Sequence, residues 1–432
     1  MPGNRRISNR TLFIIFSAGI ILAIFLFAIP HADGLRVRFD LFMTYVRGVI
    51  DPVEPLPTAS GEQVGLKPPA VYTRTPTAMQ AAAAVTQVAL SSPETPAATQ
   101  PPTLTPTPVF TLTPPPPNAR LVSPPYEKQD LNNCGPATLA MYLRYYGWEG
   151  DQFTISSVIK PQRDDRNVNV EELYSYLINN VGWLETQYRV GGDLTLLRRL
   201  VSAGIPVMVE EGFKMAESYW PNDDRWAGHY LLVTGYDDKT QAFISQDAFV
   251  SRNRIISYAD LDQNWKAFNR VYILLYPPEQ RELVKQILGP DWDPDQNRQN
   301  AIELAKAEID RDSTDSYAWF NLGTNLVYFE RYSEAAKAYD TARELGLPQR
   351  MLRYQFGPFF AYFHTGRNED LLALTEYALK RTPNAEEAML WRGWALYRQG
   401  DLEQAVKMFL SALEEHPDYT DAQYALKFVQ GN

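Results

Sequence analysis

The sequence predicts an α+β domain followed by an all-α superhelix, with a membrane-spanning segment and a linker ahead of both. Residues 123–278 combine helix-period and strand-like apolar patterns, residues 279–432 repeat with a period of 34, and residues 51–122 are rich in proline and threonine. The predicted divisions are a short cytoplasmic N-terminus (1–10), a transmembrane anchor (11–30), a juxtamembrane segment (31–50), a linker (51–122), the α+β domain (123–278) and the helical repeats (279–432).

The composition limits the classes of protein that fit. The 432 residues give room for two or three domains at about 150 residues each. A formal charge of −10 and the lack of a basic stripe argue against a nucleic-acid-binding protein, which needs cations to pair with phosphates. The single cysteine, Cys134, rules out an internal disulfide framework, so it is either a small core residue or a reactive thiol.

The N-terminal apolar segment is predicted to be an uncleaved membrane anchor. Residues 12–29 carry no charge, and at about 1.5 Å per residue they are just long enough to cross a hydrocarbon core of about 30 Å. Arg5, Arg6 and Arg10 precede them, which predicts a cytoplasmic N-terminus and extracytoplasmic domains. A cleaved signal peptide is the alternative, but the apolar run is longer than a typical signal-peptide core.

Two segments separate this anchor from the α+β domain. Residues 34–50 mix Leu, Val, Phe and Met with Arg, which fits either an amphipathic helix on the membrane surface or a plain juxtamembrane helix. Residues 51–122 are dominated by proline, threonine and alanine. Such a composition buries too little apolar surface to fold, and proline favours extended geometry, so a disordered linker that provides reach is predicted.

Cys134 is predicted to begin a helix. After Pro136, small and apolar residues recur at three- and four-residue spacing, namely Ala137, Ala140, Met141 and Tyr145. Proline is tolerated in the first turn of a helix, and Gly147 is placed to end it. Free backbone N–H groups and the positive end of the helix dipole favour a thiolate at this position, which is the form that a nucleophile requires.

Gln129 lies five residues before Cys134 and is the candidate oxyanion donor. Acyl transfer builds negative charge on the substrate oxygen beside the nucleophile. A fixed side-chain amide that works together with the Cys134 backbone N–H would stabilise that charge. A solvated loop glutamine is the alternative.

His229 is the candidate general base. The other three histidines are His31 beside the membrane, and His364 and His416 in the predicted repeats, so only His229 shares a domain with Cys134. It begins the run "GHYLLVTGYDD", which reads as a buried strand that ends in a turn.

Asp247 is the candidate third member of the site. It ends the next predicted strand, "TQAFISQD", so a hairpin would bring it next to His229. A carboxylate there would hold the imidazole in the required tautomer and stabilise the imidazolium. Asp237 and Asp238 compete for this role but have the character of turn residues.

These motifs together resemble a known family. The segments "QDLNNCGPATLAMYLRYYG", "SAGIPVMVE", "GHYLLVTGYDD" and "SQDAF" are similar to the bacteriocin-processing, double-glycine-cleaving branch of the papain-like cysteine peptidases over residues 123–278. The resemblance implies a papain-like α+β fold, a triad of Cys134, His229 and Asp247, and Gln129 in the oxyanion hole.

This chain departs from the family in two respects. Ala248 stands where proline usually follows the triad aspartate. The sequence also shows neither the multi-span region nor the phosphate-binding loop of the transporters to which these peptidases are usually fused, so double-glycine specificity is not carried over.

Four further residues are candidates for the substrate cleft. Glu210 and Glu211 follow a predicted core strand and would either line the cleft or form a solvated strand end. Trp220 and Trp226 would either flank the cleft as apolar walls or serve in ordinary packing.

The C-terminal region is predicted to consist of tetratricopeptide (TPR) repeats. Four pairs of positions align at a spacing of 34 residues, namely Gly366, Thr375, Ala378 and Pro383 with Gly400, Phe409, Ala412 and Pro417. An earlier unit supplies Trp319, Leu322, Gly323, Ala335, Tyr339 and Ala342 at the expected offsets. About three repeats, with half a repeat before them, would form a superhelix whose concave face binds a protein or peptide; a brace for the α+β domain is the equal alternative.

Two functions are compatible with this organisation. The first is a membrane-anchored extracytoplasmic cysteine peptidase that acts on a peptide or protein substrate, with amidase or transpeptidase chemistry open to the same residues. The second is a TPR-based interaction scaffold with a catalytically inactive papain-like domain. The sequence predicts no cofactor and no metal site, because its histidines are scattered singly and no Cys/His cluster exists.

Overall fold

The computed structural model describes residues 32–60, 114–160, 162–163, 165 and 167–431. The predicted cytoplasmic N-terminus, the predicted anchor over 11–30, His31 and residues 61–113 of the predicted linker lie outside these ranges. Within the described ranges, no helix combines the length and the apolar character needed to span a bilayer.

An α+β domain with an antiparallel sheet follows the first helix, as predicted. Helix α1 spans Ala32–Ile50. The strands are β1 (Asn118–Arg120), β2 (Glu185–Arg189), β3 (Val207–Lys214), β4 (Trp226–Asp237), β5 (Ala242–Gln246), β6 (Arg254–Ser257) and β7 (Tyr272–Tyr276). The helices are α2 (Cys134–Tyr145), α3 (Gln152–Ile159), α4 (Val170–Asn180), α5 (Leu194–Ser202), α6 (Tyr258–Lys266) and α7 (Arg281–Leu288).

The seven strands form one sheet in which every pairing is antiparallel. Their order is β2-β7-β3-β4-β5-β6, and the short β1 pairs with the second half of β4. Strand β4 is the centre of the sheet because it pairs with three others. The hairpin from β4 to β5 turns over residues 238–241, which places the chain after β5 beside the first half of β4.

The sheet separates two hydrophobic cores. Successive side chains of a strand face opposite sides. Met208 and Leu232 therefore belong to the core beneath α2, α3 and α4, whereas Val209 and Val233 belong to the core beneath α5, α6 and α7. Because both faces are covered, the central strands read as continuous apolar runs, and all of β7 is buried.

The remainder of the chain is helical. Its helices are α8 (Pro294–Arg311), α9 (Ser316–Tyr328), α10 (Tyr332–Leu345), α11 (Met351–Tyr354), α12 (Gly357–His364), α13 (Asn368–Arg381), α14 (Glu386–Gln399), α15 (Leu402–Glu415) and α16 (Thr420–Gln430). Small residues let paired helices approach: a Cβ on Gly323 would lie 2.7 Å from the Tyr339 ring, and a Cβ on Gly393 would lie 2.4 Å from the Phe409 ring.

The helical region packs directly on the α+β domain. Both terminal nitrogens of Arg350 pair with the Asp223 carboxylate at 2.6 Å, and the Arg350 guanidinium lies 3.9 Å from the centre of the Trp220 ring. Trp226 stacks on Phe268 with ring centres 5.6 Å apart. Both tryptophans therefore make packing contacts, which favours the packing alternative for them.

Helix α1 and the chain after it contact both domains. Gly48 packs so closely on Trp220 that a Cβ would come within 2.5 Å of it. Residues 51–60, within the range predicted as linker, are extended and lie on the helical region. Leu56 is buried in its core, the Pro57 carbonyl accepts hydrogen bonds from Arg343, and Ser60 bonds to the Asp370 carboxylate through its N–H and its hydroxyl.

Candidate active site

The loop before α2 is held by one buried amide. The Gln152 Oε1 atom accepts hydrogen bonds from the Asp130 backbone N–H at 2.7 Å and from the Asn133 side chain at 2.8 Å. The Asn133 side chain therefore does not cap the helix that begins at Cys134, and the first-turn N–H groups have no cap from that residue. This leaves the N-terminus of the helix open to an anion, as the sequence predicts.

The thiol of Cys134 contacts His229. Burial by itself raises the pKa of the Cys134 thiol, but the hydrogen bond to the His229 ring and the charge of that ring lower it by more than burial raises it, so the net shift is downward. Backbone N–H groups of Tyr230 and Gly135 add to the stabilisation of the thiolate. The environment therefore favours the nucleophilic form of the sulfur.

His229 lies on β4 between this thiol and a carboxylate. Its Nε2 atom is 2.8 Å from Asp247 Oδ1, which leaves Nδ1 as the ring nitrogen for Cys134. Burial lowers the pKa of His229, but the hydrogen bonds to Asp247 and Cys134 outweigh it and raise the pKa to about 10. Opposite shifts on the thiol and the imidazole favour a thiolate–imidazolium pair.

Asp247 is fully buried at the end of β5 and is held as a carboxylate. Burial raises its pKa, and the hydrogen bond to His229 more than reverses this, so the pKa lies below its ordinary value. The backbone N–H groups of Phe249 and Val250 donate to Oδ1 at 2.8 and 2.9 Å. Asp237 and Asp238, the competing candidates, lie at the hairpin turn, where Asp238 pairs with Arg198.

Gln129 is fixed beside this carboxylate through its backbone. Its N–H donates to the carbonyl of Ala248 at 2.9 Å, so the residue that replaces the usual proline joins the Gln129 loop to the Asp247 turn. The Gln129 Oε1 atom is buried and has no hydrogen-bond partner among the described residues. Buried amide oxygens usually have a hydrogen-bond partner, so this side chain is an exception within the fold.

A group of charged and polar residues that the sequence patterns did not indicate lies behind His229 and Asp247. Arg254, at the start of β6, donates to Asp247 Oδ2 at 2.8 Å and to Glu211 Oε1 at 2.9 Å. Asn264 donates to the other oxygen of Glu211 at 3.3 Å. Glu211 is the register partner of His229 across β3 and β4, and this pairing is the signal that could have linked it to the site.

Glu211 and its neighbour Glu210 are therefore buried, contrary to the solvated strand end considered for them. Burial raises the pKa of Glu210 well above its ordinary value, and its side chain hydrogen-bonds to Tyr230. Two phenylalanines flank the imidazole instead: the ring of Phe213 lies 5.2 Å and the ring of Phe249 6.1 Å from that of His229. Phe249 is 50% exposed, so an apolar surface borders the site.

Comparison with protein families agrees with both halves of the fold. Residues 121–273 match the Peptidase C39 like family, and residues 361–420 match a tetratricopeptide repeat family. The chain contains a peptidase C39-like domain followed by TPR repeats. The resemblance inferred from the sequence motifs is thereby confirmed, and no curated protein matches this sequence.

Solved structures are similar to the C39-like domain or to the repeats. A C39-like peptidase from Bacillus anthracis is 17% identical, with 37% of this chain and 96% of that chain covered and a TM-score of 0.30. The peptidase domain of Streptococcus ComA, a bifunctional ABC transporter, is 19% identical, with 36% of this chain and 99% of that chain covered and a TM-score of 0.28. YrrB, a TPR protein with an unusual peptide-binding site, is 21% identical, with 31% of this chain and 68% of that chain covered and a TM-score of 0.28.

Proposed function

We propose that this protein is a membrane-anchored cysteine peptidase of papain-like fold, which hydrolyses peptide or related amide bonds. The observation that carries the proposal is the series of contacts from Cys134 to His229 and from His229 to Asp247. Within this series the pKa of the thiol is lowered and the pKa of the imidazole is raised. A cysteine kept only for packing gains nothing from an imidazole beside it.

The proposed reaction has two stages, acylation of Cys134 and hydrolysis of the acyl-enzyme. The Cys134 thiolate attacks the carbonyl carbon, and the negative charge that develops on oxygen is stabilised by the Cys134 backbone N–H and the Gln129 amide. The His229 imidazolium gives its proton to the departing amine, which leaves an acyl-enzyme. Water then attacks the thioester while His229 takes its proton, and the acid is released with the thiol restored.

The surface beside His229 favours an apolar side chain in the substrate. Phe213 and Phe249 present aromatic faces at the edge of the imidazole, and Phe249 and Val250 are about half exposed. An apolar residue near the scissile bond would cover these side chains and remove them from water. The repeats are proposed to recruit a protein or peptide on their concave face.

The proposed location is the extracytoplasmic face of a membrane. The uncharged apolar run at residues 12–29 supports an anchor, and the three preceding arginines support a cytoplasmic N-terminus. The properties of α1 also support a position near lipid. Five of its described apolar side chains are exposed, namely Phe39, Phe42, Tyr45, Val49 and Ile50.

The test of catalysis is the reactivity of the single thiol. We expect iodoacetamide to alkylate Cys134 of the full chain rapidly at pH 6, where an ordinary thiol is protonated. His229→Gln should slow alkylation at least about tenfold, and His364→Gln, which alters a histidine of the repeats, should leave the rate unchanged. Incubation of the active chain with a mixed peptide library, read by mass spectrometry, then tests hydrolysis directly.

The outcomes separate the two functions. Fast alkylation that depends on His229, together with cleaved peptides that Cys134→Ala does not produce, supports the peptidase. Equal alkylation rates in the parent and in folded His229→Gln, with no cleavage, would instead favour the inactive scaffold.

A further inference from the structure

A second group of titratable residues lies where the C39-like domain meets the repeats. Glu172 is on α4, Glu386 begins α14, and His416 follows α15. One ligand atom from each, two carboxylate oxygens and a ring nitrogen, lies within 4.8 Å of the other two. His416 Nδ1 is 3.5 Å from Glu386 Oε1. The group does not include any residue of the candidate active site.

Further carboxylates surround this group in a buried environment. Glu386, Glu387 and Asp165 are 4%, 8% and 8% exposed. Carboxylates that repel one another in a buried site are stabilised by a shared cation.

A buried amide oxygen supplies an independent indication of a ligand. Asn167 is 7% exposed, and its Oδ1 atom has no hydrogen-bond partner among the described residues. The backbone N–H of Asn167 donates to Asp165 Oδ1 at 3.0 Å, and its side-chain nitrogen lies 3.5 Å from Glu387 Oε1. The Asn167 side chain therefore lies beside Glu387, the chain neighbour of Glu386, and its unpaired buried oxygen needs a partner.

The geometry points to a divalent transition-metal site, with zinc as the ion, formed by Glu172, Glu386 and His416, with the buried Asn167 amide nearby. Imidazole and carboxylate ligands together suit zinc better than calcium or magnesium, which prefer oxygen alone. Ligands of tetrahedral zinc stand about 3.4 Å apart, so ligand atoms that are up to 4.8 Å apart must close by up to about 1.4 Å on binding.

Such an ion would join the two domains. Glu172 and Asn167 come from the C39-like domain, and Glu386 and His416 come from the repeats. The site also borders the Cys134 loop, because the Lys160 ammonium donates to the carbonyls of Asp165 and of Asn132. Metal binding is therefore expected to stiffen the domain junction, which goes beyond the proposed hydrolysis.

The experiment uses the full chain in detergent with Cys134→Ser, so that the thiolate cannot bind the metal. After chelation and dialysis, zinc chloride is titrated by calorimetry, and bound zinc is measured by elemental analysis. We expect one zinc per chain. Glu386→Gln and His416→Gln should each weaken binding at least about tenfold, while Glu303→Gln on α8 and His364→Gln should not.

Two further readouts guard against misfolded variants. Zinc should raise the melting temperature of the parent and leave that of each ligand variant unchanged, with matching circular dichroism spectra. Cobalt(II) should give visible absorption bands in the parent that His416→Gln alters. The proposal is overturned if the parent does not bind one equivalent of zinc, which would mean that protons alone stabilise the cluster. It is also overturned if both folded ligand variants bind zinc as tightly as the parent.

Discussion

Arg254 donates a hydrogen bond of 2.8 Å to Asp247, on the carboxylate oxygen that His229 does not use. The same guanidinium nitrogen also pairs with Glu211 at 2.9 Å. Asp247 is thus fixed from both sides, and its orientation toward the imidazole depends on a cation that is not part of the predicted triad.

Arg254→Gln should therefore reduce turnover without removing the nucleophile. The variant leaves Asp247 and Glu211 buried without their shared cation, so the carboxylate loses its fixed orientation. We expect kcat to fall on the order of 10–100-fold with a smaller change in KM. Steady-state kinetics on a cleaved peptide measure this. Arg331→Gln, which removes an exposed ion pair with Glu334, is the control and should leave kcat and KM unchanged. An unchanged kcat in folded Arg254→Gln would show that Asp247 needs no such support.

Activity should depend on pH through the thiolate–imidazolium pair. The acid limb of kcat/KM should lie below the ordinary thiol pKa of 9.0, and the alkaline limb should follow loss of the His229 proton near pH 10. In Asp247→Asn the support for the imidazolium is lost while burial remains, so the alkaline limb should move to lower pH. Values of kcat/KM measured from about pH 5 to about pH 11 test the positions of both limbs.

The same titration has a consequence for stability. The pKa of His229 is raised above its ordinary value of 6.5, so its contribution is complete below pH 6.5 and is lost as pH rises through about 10. The pKa of Asp247 is lowered, so its contribution is present above its ordinary value of 3.8 and is lost as pH falls below it. Melting temperatures of the parent and of His229→Gln should converge above pH 10 if this account is right.

Gln129→Ala should affect the chemical step more than binding. Removal of one oxyanion donor typically costs about 10²–10³ in kcat. KM should change little, because the donor acts on charge that develops only in the transition state. Gln299→Ala, on an exposed face of α8, is the control. A fall confined to KM would assign Gln129 to substrate binding instead.

Leu56→Ala should loosen the segment that lies on the repeats. Leu56 is 6% exposed, and truncation of a buried leucine costs about 2–5 kcal/mol. Hydrogen exchange at residues 51–60 should accelerate, and limited proteolysis there should become faster. Leu402→Ala, at a side chain that is 50% exposed, is the matched control. Unchanged exchange would mean that this side chain does not hold the segment.

Gly323→Ala should destabilise the repeats despite the higher helix propensity of alanine. The new methyl group would come 2.7 Å from the Tyr339 ring, and overpacking costs about 1–3 kcal/mol. Thermal denaturation should show a lower melting temperature. Gly182→Ala, where nothing lies within 4 Å of the added carbon, should show no such loss. A rise in melting temperature for Gly323→Ala would mean that the helices can separate at no cost.

Elements whose signals are local can be predicted from the sequence alone. The start of a helix at Cys134, a buried strand after His229 and the 34-residue repeat each follow from periodicity and end signals within a short stretch, and the structure has them. The hairpin likewise placed Asp247 near His229, since two strands joined by a tight turn pair with each other. The membrane anchor and the roles of the site residues remain predictions.

Contacts between residues far apart in the chain could not be predicted in this way. Arg254 reaches Asp247 across the β5–β6 pair, Arg350 is buried on Asp223 and Trp220, and Leu56 lies in the core of the repeats. The candidate metal ligands, Glu172, Glu386 and His416, come from two domains. Periodicity reports which face of an element is buried but not which partner covers it, because that partner is set by the packing of whole domains.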